Sequence, residues 1–371
     1  KFKVGKSVGN FTEENLEFFP GSTELNQLNV GIVGDLGTGK TQLTKALIYN
    51  LTRDAEQNRG IAPNFLIFDY KKDYSNEEFV KATGAKVIEP FDIPLNLFDV
   101  RDREEERNPW FNASKFFIDI LDKIYAGIGP VQKEKIKQAI KKAYNLSHVT
   151  AGGPTIQDVF NTYSEETTPD VPYGIMSDLV DGEYFVHDSS KVIPFSEFMK
   201  GIVVINLSSV GQDDKTKNVL VTIFLNLFYN FMLKIKKEPF IGSDPQLRFV
   251  HSMLLVDEAD NIMQYEFDVL KKLLLQGREF GVGVILASQF LSHYKTSHEN
   301  YLEPLLTWFV HKVPNISVKE LEGIGLSSID PAVVDKIKDL KLHECLYKTL
   351  SVNGKLMRGT PFYELVQDLV E

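Results

Sequence analysis

The stretch that decides the fold is Leu28-Asn-Val-Gly-Ile-Val-Gly-Asp-Leu-Gly-Thr-Gly-Lys-Thr41. Its first half is an apolar, β-branched run that ends in glycine, which predicts a buried strand over residues 28–34. Its second half fits G-x-x-x-x-G-K-[ST] and leads into residues 40–51, whose apolar positions recur at helical spacing. A glycine-rich loop between a strand and a helix N-terminus is typical of a phosphate-binding loop.

This loop predicts a site for a nucleoside triphosphate, ATP, together with Mg²⁺. Glycines let the backbone N–H groups turn towards the β-phosphate, and the helix N-terminus adds partial positive charge. Lys40 is expected to contact the β and γ oxygens, and the Thr41 hydroxyl to coordinate Mg²⁺. The predicted nucleotide-binding residues are Gly34, Asp35, Leu36, Gly37, Thr38, Gly39, Lys40, Thr41 and Gln42.

A second segment, Met253-Leu-Leu-Val-Asp-Glu258, predicts the acidic half of the same site. Its apolar run reads as a strand that places two carboxylates at its carboxyl end, where open α/β sheets bind ligands. We assign Asp257 to Mg²⁺ and Glu258 to activation of the attacking water. Asp260 is expected to cap the helix that follows.

The apolar runs alternate with helical periodicity, which predicts an α/β fold with a mainly parallel central sheet. Strands are expected at 64–70, 201–207, 249–260 and 281–289, and a helix at 265–280. Between Asp99 and Gly201 the strand signals stop and helical patterns take over. We therefore predict one core, residues 1–98 and 201–371, that carries a helical insertion over residues 99–200.

Composition limits the class of protein. The chain has 371 residues, a net charge of −10 and one cysteine, Cys345, which excludes a disulfide scaffold and fits a reducing, cytoplasmic location. No apolar run is long enough to span a bilayer, so no membrane contact is predicted. The charge argues against a broadly basic nucleic-acid binder but leaves room for a local basic surface. Because the chain begins with Lys1 rather than methionine, we expect a piece of a longer protein.

Two other nucleotide-binding classes fit poorly. Residues 257–260 spell D-E-A-D, but the H-R-x-G-R-x-x-R motif of superfamily 2 helicases is absent from the sequence. A GTPase is disfavoured because the sequence has no N-K-x-D motif to recognise guanine.

The segment Gln276-Gly-Arg-Glu-Phe-Gly-Val-Gly-Val-Ile-Leu-Ala-Ser-Gln289 resembles a pattern of the HerA/FtsK group of RecA-like motors, in which G-R-[KE]-x-G precedes a strand that ends in S-Q. The resemblance implies that Gln289 senses the γ-phosphate and that Arg278 is a finger supplied to the neighbouring ring subunit. An ordinary helix-end ion pair with Glu279 is the alternative for Arg278. The segments at 69–75 and 94–99 resemble further elements of these motors.

Within this group, residues 33–43 and the continuation of the 281–289 strand look closest to the ATPase domain of DptH-like proteins, the HerA-type component of phosphorothioation-dependent restriction systems. The resemblance implies a hexameric DNA translocase or helicase that works with nuclease partners in antiviral defence. Two alternatives stay open: a VirB4-type ATPase that acts on protein, and a scaffold that nucleotide binding assembles.

Overall fold

The computed structural model describes residues 1–9, 11–101, 106–147 and 152–367. Within these ranges the predicted strand at 28–34 becomes the shorter β3 in the interior of an eleven-stranded mixed sheet. The strands are β1 Phe2–Ser7, β2 Asn15–Phe18, β3 Val30–Val33, β4 Asn64–Asp69, β5 Lys86–Ile88, β6 Ile202–Asn206, β7 Ser252–Val256, β8 Val282–Ser288, β9 Thr307–Val310, β10 Glu344–Thr349 and β11 Val352–Gly359.

The sheet order is β2-β1-β11-β10-β9-β3-β8-β7-β4-β6-β5. The run from β9 through β3, β8 and β7 to β4 is parallel, as the alternating sequence pattern predicts. The run from β2 through β1, β11 and β10 to β9 is antiparallel. Strands were expected from the sequence at β9, β10 and β11, but the antiparallel pairing was not predicted, because β1 pairs with β11 from the other end of the chain and such pairing leaves no local pattern.

The chain divides into two compact units. The first comprises residues 1–87, 199–205 and 235–371, and the second comprises 88–198 and 206–234. This division differs from the predicted insertion at 99–200, because helix Asp214–Lys234 packs with helices Pro109–Tyr125 and Phe195–Phe198 of the second unit. Residues 102–105 and 148–151 of the predicted insertion lie outside the described residues.

The first unit surrounds the sheet with helices that cover its apolar faces. They are α1 Lys40–Arg53, α2 Glu77–Thr83, α9 Asp260–Met263, α10 Asp268–Gln276, α11 Val318–Gly323, α12 Pro331–Lys338 and α13 Phe362–Leu365. The predicted helix at 265–280 is wrong at both ends. Glu266 has a left-handed φ of 54°, which is incompatible with a right-handed helix and lies just before α10 begins. Residues Gly277–Phe280 form a 3-10 turn.

The second unit is helical in its described part. Its helices are α3 Pro109–Tyr125, α4 Pro130–Leu146, α5 Ile156–Glu166, α6 Val171–Asp181, α7 Phe195–Phe198 and α8 Asp214–Lys234. A cluster of phenylalanine rings from α7 and α8 forms part of its core. The ring centres of Phe195 and Phe231 are 5.7 Å apart, and those of Phe198 and Phe224 are 5.9 Å apart. Across the described ranges, no helix combines the length and the apolar character that a membrane crossing requires.

Candidate nucleotide-binding site

Three parallel strands of the first unit bring the predicted site residues other than Arg278 to one edge of the sheet. β8 lies between β3 and β7, with Val33 paired to Ser288 and Val256 paired to Leu286. Gly34, Gln289 and Asp257 follow these strand ends directly. The loop from Gly34 to Thr41, Gln289 and the acidic pair therefore share the carboxyl edge of the sheet, which is where the sequence predicted them.

The phosphate loop depends on glycine at two positions. Gly39 has a φ of 99°, and a Cβ there would lie 2.6 Å from Nδ1 of His343. At Gly34, a Cβ would lie 2.5 Å from Cβ of His311. The two histidines also support the loop through Thr38, whose carbonyl accepts from the His343 backbone N–H at 3.2 Å and lies 3.2 Å from Nδ1 of His311.

The Lys40 ammonium folds back into the loop. It donates to the carbonyl of Gly34 and, at 3.0 Å, to the carbonyl of Asp35. Burial lowers the pKa of Lys40, while the carboxylates of Asp257 and Glu258 oppose that shift. The hydrogen-bond acceptors of this half-buried ammonium are neutral carbonyls. Phosphate oxygens carry negative charge and form stronger hydrogen bonds with an ammonium, so they can replace the carbonyls.

The other predicted loop residues have separate roles in the structure. The Thr38 hydroxyl donates to the Asp35 carbonyl at 2.8 Å, and Leu36 is exposed at the tip of the loop. Thr41 lies in the first turn of α1, next to Lys40. Gln42 is tied to the C-terminal part of the chain, since its Oε1 accepts from the backbone N–H of Tyr363 at 3.2 Å.

Asp257 and Glu258 follow the last residue of β7. Burial, together with the neighbouring Glu258 carboxylate, raises the pKa of Asp257 to about 7. Glu258 has a left-handed φ of 53°, a strained conformation for a residue with a side chain. Its backbone N–H donates to Oδ1 of Asp257 at 3.0 Å, which orients the Asp257 carboxylate against the main chain of Glu258.

Lys71 is a member of the site for which the sequence analysis predicted no catalytic role. It lies in the segment after β4, and its Nζ lies 2.5 Å from Oε1 of Glu258. Burial lowers the pKa of Lys71, but the hydrogen bond to Glu258 and the negative charges of Glu258, Asp257 and Asp73 together outweigh it and leave the pKa raised. The resemblance of residues 69–75 to other motors was the signal available, but only the fold places Lys71 on Glu258.

The end of β8 is joined to the acidic segment through Ser288. Its hydroxyl lies 3.2 Å from Oδ1 of Asp260 and 2.6 Å from Nδ1 of His293. The expectation that Asp260 caps a helix is wrong, because Ala259 occupies the N-cap position of α9 and no side chain caps it. Gln289 follows Ser288 and is partly exposed at the same edge.

Arg278 lies at the other edge of the sheet. It is exposed in the 3-10 turn that precedes β8, and its guanidinium donates to Oδ1 of Asn26, which precedes β3. Glu279, the alternative partner considered above, pairs with Lys237 at 2.7 Å. The structure therefore does not bring Arg278 together with the phosphate loop of its own chain.

The residues present fit a nucleotide with Mg²⁺. Within the described ranges, no three histidine, cysteine or acidic side chains form a cluster that could hold a metal ion alone. Mg²⁺ commonly binds through one or two protein oxygens and the phosphates of its substrate. The Thr41 hydroxyl and the Asp257 carboxylate supply such oxygens, and the raised pKa of Asp257 reflects burial beside a second carboxylate, which the charge of Lys40 offsets only in part.

No protein-family model matches the sequence, and no curated protein matches it significantly. Among solved structures, VirB4 of Thermoanaerobacter pseudethanolicus is similar with a TM-score of 0.68 and 15% identity, over 98% of this chain and 97% of that one. The unbound bacterial conjugative coupling protein TrwB has a TM-score of 0.59 and 13% identity, over 94% and 90%. TrwB in complex with ADP and Mg²⁺ has a TM-score of 0.56 and 14% identity, over 90% and 85%. The fold is that of RecA-like P-loop ATPases, which confirms the predicted fold class.

Proposed function

We propose that the chain is a Mg²⁺-dependent ATPase of the HerA/FtsK type, whose hydrolysis drives movement along duplex DNA. The observation that carries the ATPase assignment is the position of β8 between β3 and β7. This order places Gln289 between the phosphate loop and the acidic pair Asp257 and Glu258. A triphosphate held by Lys40 thus meets a polar side chain and two carboxylates at one edge.

The side chains divide the work of phosphoryl transfer. Lys40 and the N-terminus of α1 would bind the β and γ oxygens. Thr41 and Asp257 would hold Mg²⁺, which neutralises phosphate charge when bound. Glu258 would accept a proton from the attacking water, and Gln289 would contact the γ-phosphate.

A further positive charge near the γ-phosphate would come from a neighbouring subunit of a ring. Arg278 is exposed and lies at the opposite edge of the sheet from its own phosphate loop. A guanidinium suits the charge that develops on a transferring phosphoryl group. We therefore infer that Arg278 of one subunit completes the site of the next, in a homo-oligomer for which the resemblance implies six subunits.

Duplex DNA is the preferred substrate because the sequence motifs resemble the HerA/FtsK group and because the fold is similar to TrwB, a conjugative coupling protein. The likeness of residues 33–43 to DptH-like proteins extends the proposal to a restriction or anti-phage system with nuclease partners. This part of the proposal rests on sequence resemblance.

A motor that acts on protein is the second candidate. The similarity to VirB4 covers 98% of the chain, and the net charge of −10 does not favour a polyanionic substrate. ATPase activity with and without duplex DNA at low salt separates the two candidates. Stimulation that Lys40→Ala abolishes supports the DNA motor, whereas ATPase activity without DNA binding or stimulation supports the protein motor.

A further inference from the structure

Lys71 forms an ion pair with Glu258, the carboxylate that the proposed mechanism uses as its base. Its Nζ lies 2.5 Å from Oε1 of Glu258, with 47% of the Lys71 side chain and 18% of the Glu258 side chain exposed. A carboxylate oxygen that accepts from an ammonium has less capacity to accept the proton of a water molecule. The contact therefore holds Glu258 in an arrangement that competes with its catalytic task.

The position of Lys71 is built into the fold. The Asp69 carboxylate accepts from the backbone N–H groups of Asp73 at 2.8 Å and Tyr74 at 2.9 Å, and from the Ser75 hydroxyl at 2.8 Å. These three bonds close the segment after β4 into a defined loop that carries Lys71. The backbone that carries Lys71 is thus held within reach of Glu258 by the fold.

The same loop is packed against the helix of the phosphate loop. Lys45, one turn beyond Thr41 on α1, is buried, and its ammonium lies 5.9 Å from the ring centre of Tyr74 and 5.8 Å from that of Phe79. A buried ammonium held by aromatic faces resists separation from them. A shift of α1 on nucleotide binding would therefore reach the loop that carries Lys71.

We propose that Lys71 restrains Glu258 and that a phosphate group releases it by taking the Lys71 ammonium. The inference rests on the proposed hydrolytic function, because Glu258 is the base only there. The positive charge of Lys71 contributes to lowering the pKa of Lys40, and the Lys71 side chain is half exposed. Two sources of phosphate fit this position: the γ-phosphate of the bound nucleotide and the backbone of a nucleic-acid substrate.

Zero-length carbodiimide crosslinking of the full chain tests the release directly. An amine and a carboxylate in contact form an amide, so the nucleotide-free protein should give a Lys71–Glu258 crosslinked peptide in mass spectrometry. Three further samples contain a non-hydrolysable ATP analogue plus Mg²⁺, duplex DNA, or both. The crosslink yield should fall at least fivefold in the samples that contain the releasing phosphate. The arm that lowers the yield identifies the source.

Control variants make the crosslink specific. Lys71→Arg should abolish it, since a guanidinium does not form the amide. Lys72→Asn should leave it unchanged, because Lys72 has a left-handed φ of 65° that asparagine tolerates. An absent crosslink in wild type, or one that persists in every arm while fluorescence shows that nucleotide binds, overturns the restraint but leaves the ATPase proposal intact. A protein that binds no nucleotide overturns both.

Steady-state kinetics separate restraint from assistance. Lys71→Met keeps the aliphatic stem and removes the charge. If the crosslinking arms identify duplex DNA as the releasing phosphate, this variant should raise kcat without DNA by about fivefold, the effect of one ion pair at a half-exposed position, with little change in KM. Lys72→Asn should keep the wild-type kcat. In that case, a fall in kcat for Lys71→Met would mean that Lys71 assists Glu258, and would overturn the proposal.

Discussion

Arg278 and Gln289 lie at opposite ends of strand β8, which has seven residues from Val282 to Ser288. At about 3.3 Å per residue, such a strand spans roughly 20 Å, which is well beyond the reach of an arginine side chain. One strand thus carries the γ-phosphate sensor proposed for its own site at one end and the arginine proposed for a neighbouring site at the other. Several predictions about the assembled protein depend on this separation.

Mixing two inactive variants should restore part of the ATPase activity. Lys40→Ala removes the cation of the phosphate loop, and Arg278→Ala removes the finger. At a mixed interface, an intact loop from the Arg278→Ala subunit meets an intact arginine from the Lys40→Ala subunit. We expect each variant alone to be at least about 100-fold slower than wild type and the mixture to recover a measurable fraction.

The matched control for the finger is Arg59→Asn. Arg59 precedes β4, and its left-handed φ of 60° accommodates asparagine. This variant should keep wild-type activity. Full activity of Arg278→Ala alone would contradict the finger assignment, as would an active protein that stays monomeric with ATP and Mg²⁺ in mass measurements.

Lys40→Ala should also weaken nucleotide binding itself. The Lys40 ammonium is held by two carbonyls of the loop, so its removal leaves the loop without a cation for the β and γ oxygens. We expect the affinity for an ATP analogue to fall at least about tenfold by calorimetry. Lys312→Ala is the control, because Lys312 contacts the loop through its backbone carbonyl. Equal affinities of Lys40→Ala and wild type would remove Lys40 from the site.

Glu258→Gln should separate binding from turnover. Glutamine keeps the size of the side chain but does not accept the proton of the attacking water, so kcat should fall about 100-fold or more while ATP binding persists. Glu322→Gln, an exposed position on α11, should behave as wild type. If Glu258→Gln lost turnover yet kept the biological function, a nucleotide-gated scaffold would explain the protein better than a motor.

Asp257→Asn should stabilise the nucleotide-free protein at high pH. Burial and the Glu258 carboxylate raise the pKa of Asp257 from 3.8 to about 7 in the folded state. Between these values the folded protein keeps a proton that the unfolded chain loses, so the free energy of unfolding falls as pH rises. Above pH 7 the folded protein bears the full free-energy cost of the buried, ionised Asp257 carboxylate. Asparagine carries no charge, so we expect the free energy of unfolding of Asp257→Asn to exceed that of wild type by about 1–3 kcal/mol at pH 8.

Thermal melting between pH 5 and pH 8 measures this effect. The stability gap between Asp257→Asn and wild type should widen up to about pH 7 and then level off, whereas Asp335→Asn, at an exposed site on α12, should show no such trend. Adding ADP and Mg²⁺ should stabilise wild type more than the variant. A gap that narrows as pH rises would contradict the assignment of Asp257 as a buried carboxylate whose charge Lys40 offsets only in part.

The sequence by itself determined the class of fold and predicted the chemistry of the site. Gly34 to Thr41 and Asp257 to Glu258 could be located because phosphate binding imposes local requirements, namely glycine-permitted backbone angles, a helix start and carboxylates at a strand end. The parallel part of the sheet followed from the alternation of apolar strands and helices for the same local reason.

Only the tertiary structure decided which distant residues meet. The pairing of β1 with β11, the contact of Lys71 with Glu258 and the placement of α8 in the second unit join segments far apart in the chain. Packing and long-range hydrogen bonding set such contacts, and neither leaves a periodic mark in the sequence. The same holds for Arg278 and Gln289: the sequence shows them eleven positions apart, and the extended strand between them puts them at opposite edges of the sheet.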